Sequence, residues 1–500
     1  MRKMLLLSSL LFIFFIQPVY AQENPIQEEI FYDILIDRFN IGNQNLSEEV
    51  NHEDPFAYHG GDLLGVINRL DHLHSLGFTA IILSPIQQNA KDGYHGYWIE
   101  DFYELNPHFG TMEDLHRLIS EAHKRDMKVV LELVTNYVAL SHPFVNDVNK
   151  EDWFKANQFK TSSGHPWREG VAVLDQDQPV VQEYLIDVVK YWLNEVDFDG
   201  FKLHDADLAS VSFLDKLTTE LKNIDQDFYL IAGRSEEKGE MDHLYDLPHL
   251  DAVENDEVFQ KLNDILIKVG QPMEELYETF MEKANHTNVY YVDHKYSPRF
   301  SLRAAENGRG ALTSWKLAYT FLYTTPGVPV ILQGSEIPMY GPTYQESQQI
   351  VRFHEAHPEL AEIHERISAL RREFTALTQG DFTYVGSDGA MSVIKRTSDQ
   401  ETMYVAINND EESRKVVIDD IPSGYELRGF LGDHLVRENK AGEYVISIPR
   451  ESAEVFILQE ETGINWLFIS FIIGVLTIFV GTMIYLSMKQ RKAEKEQQTN

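Results

Sequence analysis

Lys128-Val129-Val130-Leu131-Glu132-Leu133 is the stretch from which the fold is read. It is nearly continuous in aliphatic and β-branched side chains, the pattern of a strand buried on both faces. An amphipathic stretch at 111–124 precedes it. A second, at 182–195, leads to the next apolar run, Gly200-Phe201-Lys202-Leu203-His204. Outward from this pair the alternation continues, with strands expected at 30–36, 78–83, 228–232, 249–253, 288–293 and 328–332, and a further helix at 310–323. Buried strands alternating with helices predict a parallel sheet. A series of this length fits a closed (β/α)8 barrel better than an open doubly wound sheet, which the pattern alone leaves open.

Residues 137–178 lack clear periodicity although they contain Trp153 and Trp167. That is too long for a simple loop and reads as a small subdomain inserted after the third strand. Beyond Gly380 short runs at 382–385, 391–396, 403–408, 415–418, 444–448 and 455–458 predict a C-terminal antiparallel β-sandwich. The two ends read differently. Arg2 and Lys3 precede an apolar run that closes at Val19-Tyr20-Ala21, which marks 1–21 as a secretory signal. Residues 464–488 are expected to form one transmembrane helix, since Trp466 to Met488 carries no charge. Lys489, Arg491, Lys492 and Lys495 follow, so the tail 489–500 is expected in the cytoplasm and the rest outside. The expected divisions are therefore 1–21, a barrel over 22–379 holding the insert, a sandwich over 380–460, the membrane helix and the tail.

A formal net charge of −36 speaks against nucleic acid or anionic lipid as the main partner. The absence of cysteine excludes disulfide frameworks and thiolate metal sites.

Several motifs carry a resemblance. They are Phe31-Tyr32-Asp33-Ile34-Leu35-Ile36-Asp37-Arg38-Phe39, His59-Gly60-Gly61-Asp62-Leu63-Leu64-Gly65, Gly93-Tyr94-His95-Gly96-Tyr97-Trp98 with Asn106-Pro107-His108-Phe109-Gly110-Thr111, and Pro326-Gly327-Val328-Pro329-Val330 with Gly334-Ser335-Glu336. From about Ile30 to Leu458 the chain resembles the α-amylase family, glycoside hydrolase family 13. The resemblance implies a retaining site with a carboxylate nucleophile, a carboxylic acid and a third carboxylate at the C-terminal ends of barrel strands. In this sequence His204 stands at the nucleophile position, Arg234 at the general acid and Tyr296 at the third carboxylate. Lys202 and Lys295 replace an arginine and a sugar-binding histidine, and Tyr137 replaces another such histidine. The resemblance assigns sugar contacts to His95, Tyr97, Trp98 and Arg299, with Lys202 and Lys295 beside them. It also suggests Ca2+ held by Asn136 and, in the early loop, by Asn43 and Asp62.

Among nearby carboxylates, Asp205 falls one residue past His204 and on a regular strand points away from the lumen. Asp207 lies in the following loop, Glu236 lies two residues beyond Arg234, and Glu237 and Asp293 complete the set. The cations are expected either to pair with acids such as Glu132 or to form an anion site. The sequence thus leads to the expectation of a membrane-tethered, extracytoplasmic amylase-like protein without enzymatic activity, binding a carbohydrate. Two alternatives stay open: a retaining α-glucan hydrolase using relocated carboxylates, and a non-enzymatic partner or scaffold ectodomain that binds a protein.

Overall fold

The computed structural model describes residues 25–43, 50–155, 166–235, 241–282, 287–461 and 466–497. The expected signal segment, Asn45 of the early loop, Glu236, Glu237 and both ends of the expected membrane segment and tail (464–465 and 498–500) lie outside the described residues.

The buried apolar runs become eight parallel strands: β1 (Phe31–Ile34), β2 (Ala80–Leu83), β3 (Lys128–Leu133), β4 (Gly200–Leu203), β5 (Tyr229–Ala232), β6 (Ala252–Glu254), β7 (Asn288–Tyr290) and β8 (Val328–Leu332). They close as β1-β8-β7-β6-β5-β4-β3-β2, which excludes the open sheet. Several strands are shorter than the sequence suggested, because side chains take over the backbone hydrogen bonds at their ends. Leu35 N–H donates to Gln333 Oε1 at 2.9 Å and Ile36 N–H to Ser84 Oγ at 3.1 Å, so the chain leaves β1 for a short 3-10 turn, Ile36–Arg38.

Alternation along each strand sorts the side chains. Phe31, Ile82, Val130, Ile231, Ala252 and Val330 fill the lumen. Tyr32, Ile81, Leu131 and Phe201 pack outward in the main core. Two residues on from lumen positions in β1, β3 and β6 come Asp33, Glu132 and Glu254, and β4 carries Lys202 and then His204 by the same period. The pleat therefore delivers a ring of charged groups to the C-terminal mouth, where a barrel of this kind places its chemistry. The register sets Glu132 opposite Lys202.

Helix α1 (Met112–His123) begins at a reciprocal cap, with Asp114 N–H donating to Thr111 Oγ1 and Thr111 N–H to the Asp114 carboxylate. Helices α2 (Pro179–Glu195) and α3 (Ala311–Thr324) cover the strands with apolar faces. Within the stretch expected as an insert, Tyr137–Ala139 pairs antiparallel with Val171–Val173, and Trp153 and Trp167 are buried.

The C-terminal part is antiparallel. Its strands are β9 (Asp381–Asp388), β10 (Met391–Thr397), β11 (Thr402–Asn408), β12 (Arg414–Ile418), β13 (Tyr425–Gly429), β14 (Leu435–Arg437), β15 (Tyr444–Ile448) and β16 (Ser452–Glu460). A six-stranded sheet, β9-β10-β11-β16-β13-β14, faces the pair β12-β15. Met391, Tyr404, Ile446 and Phe456 lie between them. The sequence reading missed β13 and β14, whose charged residues interrupt the apolar signal. Helix α4 (Trp466–Gln497) contains a stretch, Ile469–Lys489, of 21 residues and mean hydropathy 2.3, long and apolar enough to cross a membrane and not buried by the rest of the chain.

The glycine motif at the helix Leu63–Ile67 is sterically required at Gly65, where an added Cβ would lie 1.7 Å from Asn40 O. Gly65→Ala is expected to lower stability by about 3 kcal/mol, in the range of an overpacked backbone contact, measurable as a shift in the thermal unfolding midpoint.

Candidate functional site

At the mouth of the barrel the charged residues alternate in sign. Lys202 Nζ lies 2.7 Å from Glu254 Oε1 and 3.4 Å from Asp33 Oδ2. Lys295 Nζ lies 3.0 Å from Asp33 Oδ1 and 2.6 Å from Glu132 Oε2. His204 Nδ1 is 2.7 Å from Glu132 Oε1, and its Nε2 is 3.4 Å from Asp205 Oδ1. Arg168 Nη2 closes the series 2.8 Å from Asp205 Oδ2. All of these groups are buried.

Such a chain is stable only when each charge has partners, because desolvation of one ion costs several kcal/mol. Burial alone would raise Glu132, but Lys295 and His204 more than offset it and hold its carboxyl well below the ordinary range. Burial would lower Lys202, and Glu254 and Asp33 raise it instead. Asp205 goes the other way: burial raises its carboxyl above the usual value despite His204 and Arg168.

Asp205 corrects the expectation drawn from strand parity. The strand ends at Leu203, and Asp205 adopts a left-handed backbone (φ +48°) that swings its carboxylate into the site. There Tyr137 Oη donates to it at 3.4 Å. Asn136 holds this turn, its Nδ2 donating to the carbonyls of His204 (3.3 Å) and Asp205 (2.8 Å).

Of the two expectations for the cations, the structure shows pairing with acids rather than an anion site. Lys202 and Lys295 are fully engaged with carboxylates, of which Asp33 and Glu254 were missed. The missing signal was positional: a polar residue two places past a lumen-facing apolar one, at a strand's C-terminal end. Arg234 turns aside, its Nη2 3.0 Å from Asp256 Oδ1 and its Nε donating to Tyr291 Oη at 2.7 Å. Arg299 does not reach the pocket; it is buried, donating to the carbonyls of Gln333 (2.8 Å) and Ser347 (2.7 Å), and braces the loop after β8. Asp207 accepts from Ser235 N–H and Oγ, and Asp293 from Ser335 Oγ and Phe300 N–H, so neither faces the mouth.

Aromatic rings roof the ionic chain. Tyr97 stacks on His204 with centroids 4.3 Å apart at 24°. Trp167 stacks on Tyr296 at 6.2 Å and 27°, and both rings lie near His204. Above this layer opens a cavity of about 370 Å³ lined by Phe56, Asp92, Tyr94, His95, Tyr97, Trp98, Trp167, Tyr296, Tyr344 and Gln348. The sequence reading found His95, Tyr97, Trp98 and Tyr296, and missed Phe56, Asp92, Tyr94, Trp167, Tyr344 and Gln348, which come from loops without a shared local pattern. His95 accepts from Tyr97 N–H at Nδ1 (3.0 Å), and burial, with Arg38 nearby, pushes it down to about 3. The site thus offers flat apolar surfaces rimmed by a few polar groups.

The residues suggested as calcium ligands have protein partners in this structure. Asp62 caps the helix Leu63–Ile67, accepting from Gly65 N–H (2.6 Å) and Asn43 N–H (2.7 Å), which is anion geometry. At Asn136, Oδ1 already receives Gln176 Nε2 at 3.0 Å. Among the described residues no group of three or more His, Asp or Glu gathers as a metal site.

Comparison with known proteins places this geometry. A family model described as the α-amylase catalytic domain matches residues 33–230, and one for the α-amylase C-terminal domain matches 380–456. A cyclomaltodextrinase of Geobacillus thermopakistaniensis (strain MAS1) is 28% identical over 451 residues, 84% of this chain and 74% of that protein. The crystal structure of an Anoxybacillus α-amylase shares 36% identity at a TM-score of 0.83, covering 88% of this chain and 100% of that one. An α-amylase of Geobacillus thermoleovorans, solved in complex with acarbose, shares 36% identity at a TM-score of 0.81, covering 87% and 99%. These relatives are named as enzymes, which overturns the expectation of a chain without enzymatic activity.

The ionic chain fixes an expected pH response. Glu132, with its lowered folded value, contributes stability that is complete above about pH 4.3, the free-Glu value, and is lost as pH falls through the folded value. The stability difference between the native protein and Glu132→Gln should therefore shrink as denaturant titrations move below that pH. Lys295→Met, which removes the cation shared by Asp33 and Glu132, should cost about 3–5 kcal/mol at neutral pH by the same measurement.

Proposed function

The chain belongs to the α-amylase family, and within it we propose that this protein binds and hydrolyses α-linked glucan of the maltooligosaccharide class at the outer face of a membrane. The observation that carries the reading is the aromatic cavity over the barrel's C-terminal mouth. Rings at its walls match the apolar faces of a pyranose, and His95, Asp92 and Gln348 supply polar contacts at its edge. The names of the relatives, cyclomaltodextrinase and α-amylase, and the acarbose complex support the same class of ligand.

Retaining hydrolysis uses two carboxyl groups, one ionised and one protonated, about 5–5.5 Å apart. His204, Arg234 and Tyr296 supply neither, so a glycosidic bond here must meet carboxyls from other positions. We assign Glu132 and Asp205, which flank His204. Their environments shift them in opposite directions: burial raises Asp205, while Lys295 and His204 lower Glu132. Asp205 would protonate the glycosidic oxygen while Glu132 faces the anomeric carbon. Both lie beneath the rings of Tyr97, Trp167 and Tyr296 that pack around His204.

The membrane assignment rests on α4. Its apolar stretch is followed by Lys489, Arg491, Lys492 and Lys495, which favours a cytoplasmic tail and an external barrel. Extraction from membranes by detergent but not by alkaline carbonate is the expected behaviour.

The full chain in detergent, incubated with maltooligosaccharides, should release reducing ends. Glu132→Gln and Asp205→Asn should each lower that rate at least on the order of 100-fold while retaining maltotriose binding, as expected when one member of a catalytic pair is removed. Unchanged rates in both variants would sink the carboxyl assignment, and no release from any α-glucan would sink hydrolysis. Trp98→Ala should weaken maltotriose binding about tenfold by calorimetry, on the order of one lost ring contact.

A further inference from the structure

We propose that Gln176 is the positioning residue for the floor of this pocket, its side-chain amide holding together the oxygens that a bound cation would otherwise gather. Gln176 is buried, and its Nε2 lies 2.8 Å from Thr135 O, 3.1 Å from Thr135 Oγ1 and 3.0 Å from Asn136 Oδ1. Its Oε1 accepts from Ser210 N–H at 2.9 Å, which fixes the amide's orientation. Its backbone carbonyl accepts from Gln182 Nε2 at 2.8 Å, anchoring the residue to α2. Three oxygens converging on one nitrogen is the donor set of a hard cation, here filled by an amide that needs no metal.

The arrangement reaches the site through Asn136. With its Oδ1 held by Gln176, the Asn136 amide must present Nδ2 to the carbonyls of His204 and Asp205. Asp205 sits in the left-handed region, a conformation that a residue with a Cβ keeps only when its surroundings impose it. Gln176 therefore fixes the Asn136 rotamer, Asn136 fixes the turn, and the turn aims the Asp205 carboxylate at His204 and Arg168. The loops after β3 and β4 and the start of α2 are tied at one amide. The role of this turn in glucan binding rests on the function proposed above; the amide-for-cation substitution does not.

The test uses the full chain in detergent, with calcium as the probe. The native protein should show the same unfolding midpoint in EDTA and in millimolar Ca2+. Gln176→Leu should unfold at lower temperature and ignore calcium. Gln176→Glu, which places a carboxylate among the same oxygens, should be destabilised in EDTA and recover by several degrees in Ca2+, through binding to the folded state alone. Its rate of reducing-end release from maltooligosaccharides should recover with calcium in parallel, a readout that a residue serving only global stability would not move. A calcium-dependent midpoint in the native protein would overturn the proposal, as would a calcium-insensitive Gln176→Glu. Should Gln176→Leu fail to fold, the calcium response of Gln176→Glu decides alone. If no form releases reducing ends, the hydrolytic reading fails while the midpoints still judge Gln176.

Discussion

The structure depends on an ionic chain that runs across the barrel mouth from Arg168 through Asp205, His204, Glu132, Lys295 and Asp33 to Lys202 and Glu254. Apart from the adjacent pair His204 and Asp205, its links span different strands or loops, so the chain ties β1, β3, β4 and β6 to the segments after β3, β4 and β7. Taken singly, buried ion pairs are poor stabilisers, since desolvation consumes most of the Coulombic gain. Their effect here is constraint: no member can be removed without stranding another, and the mouth is thereby held to one arrangement.

That constraint shapes everything above it. Among the described residues the cations and carboxylates pair with one another, and the cavity above them is lined mainly by the aromatic layer. Tyr97, Trp167 and Tyr296 stack over His204 and separate the ions from the cavity. A neutral, hydroxyl-rich ligand with apolar faces suits such a pocket better than an anion does. The same burial divides the two carboxyls beside His204, lifting Asp205 and, with Lys295, holding Glu132 down.

The comparisons and the site pull on different parts of the question. Relatives at 36% identity over nearly their whole length fix the family and the architecture. At His204, Arg234 and Tyr296 this chain carries no carboxyl group, so the proposed route of cleavage is built from its other side chains. The suggested metal sites illustrate the same point. Asn136 is present where the resemblance places a calcium ligand, and here its Oδ1 accepts from Gln176 Nε2.

Local pattern determined a good deal. Runs such as Lys128–Leu133 specify buried parallel strands because both faces must be apolar, and the period of two placed Glu132, Lys202 and His204 on one side. The capped start of α1, the antiparallel C-terminal half and the apolar stretch of α4 were likewise local properties. Tertiary structure decided who pairs with whom. Asp33 and Glu254 became partners of Lys202 only through closure of the barrel, which brings residues distant in sequence to one ring. Arg299 was drawn into the loop after β8, and Asp205 was turned inward by a backbone conformation that Asn136 and Gln176 impose. Those outcomes depend on contacts between distant segments, and no periodicity along the chain encodes them.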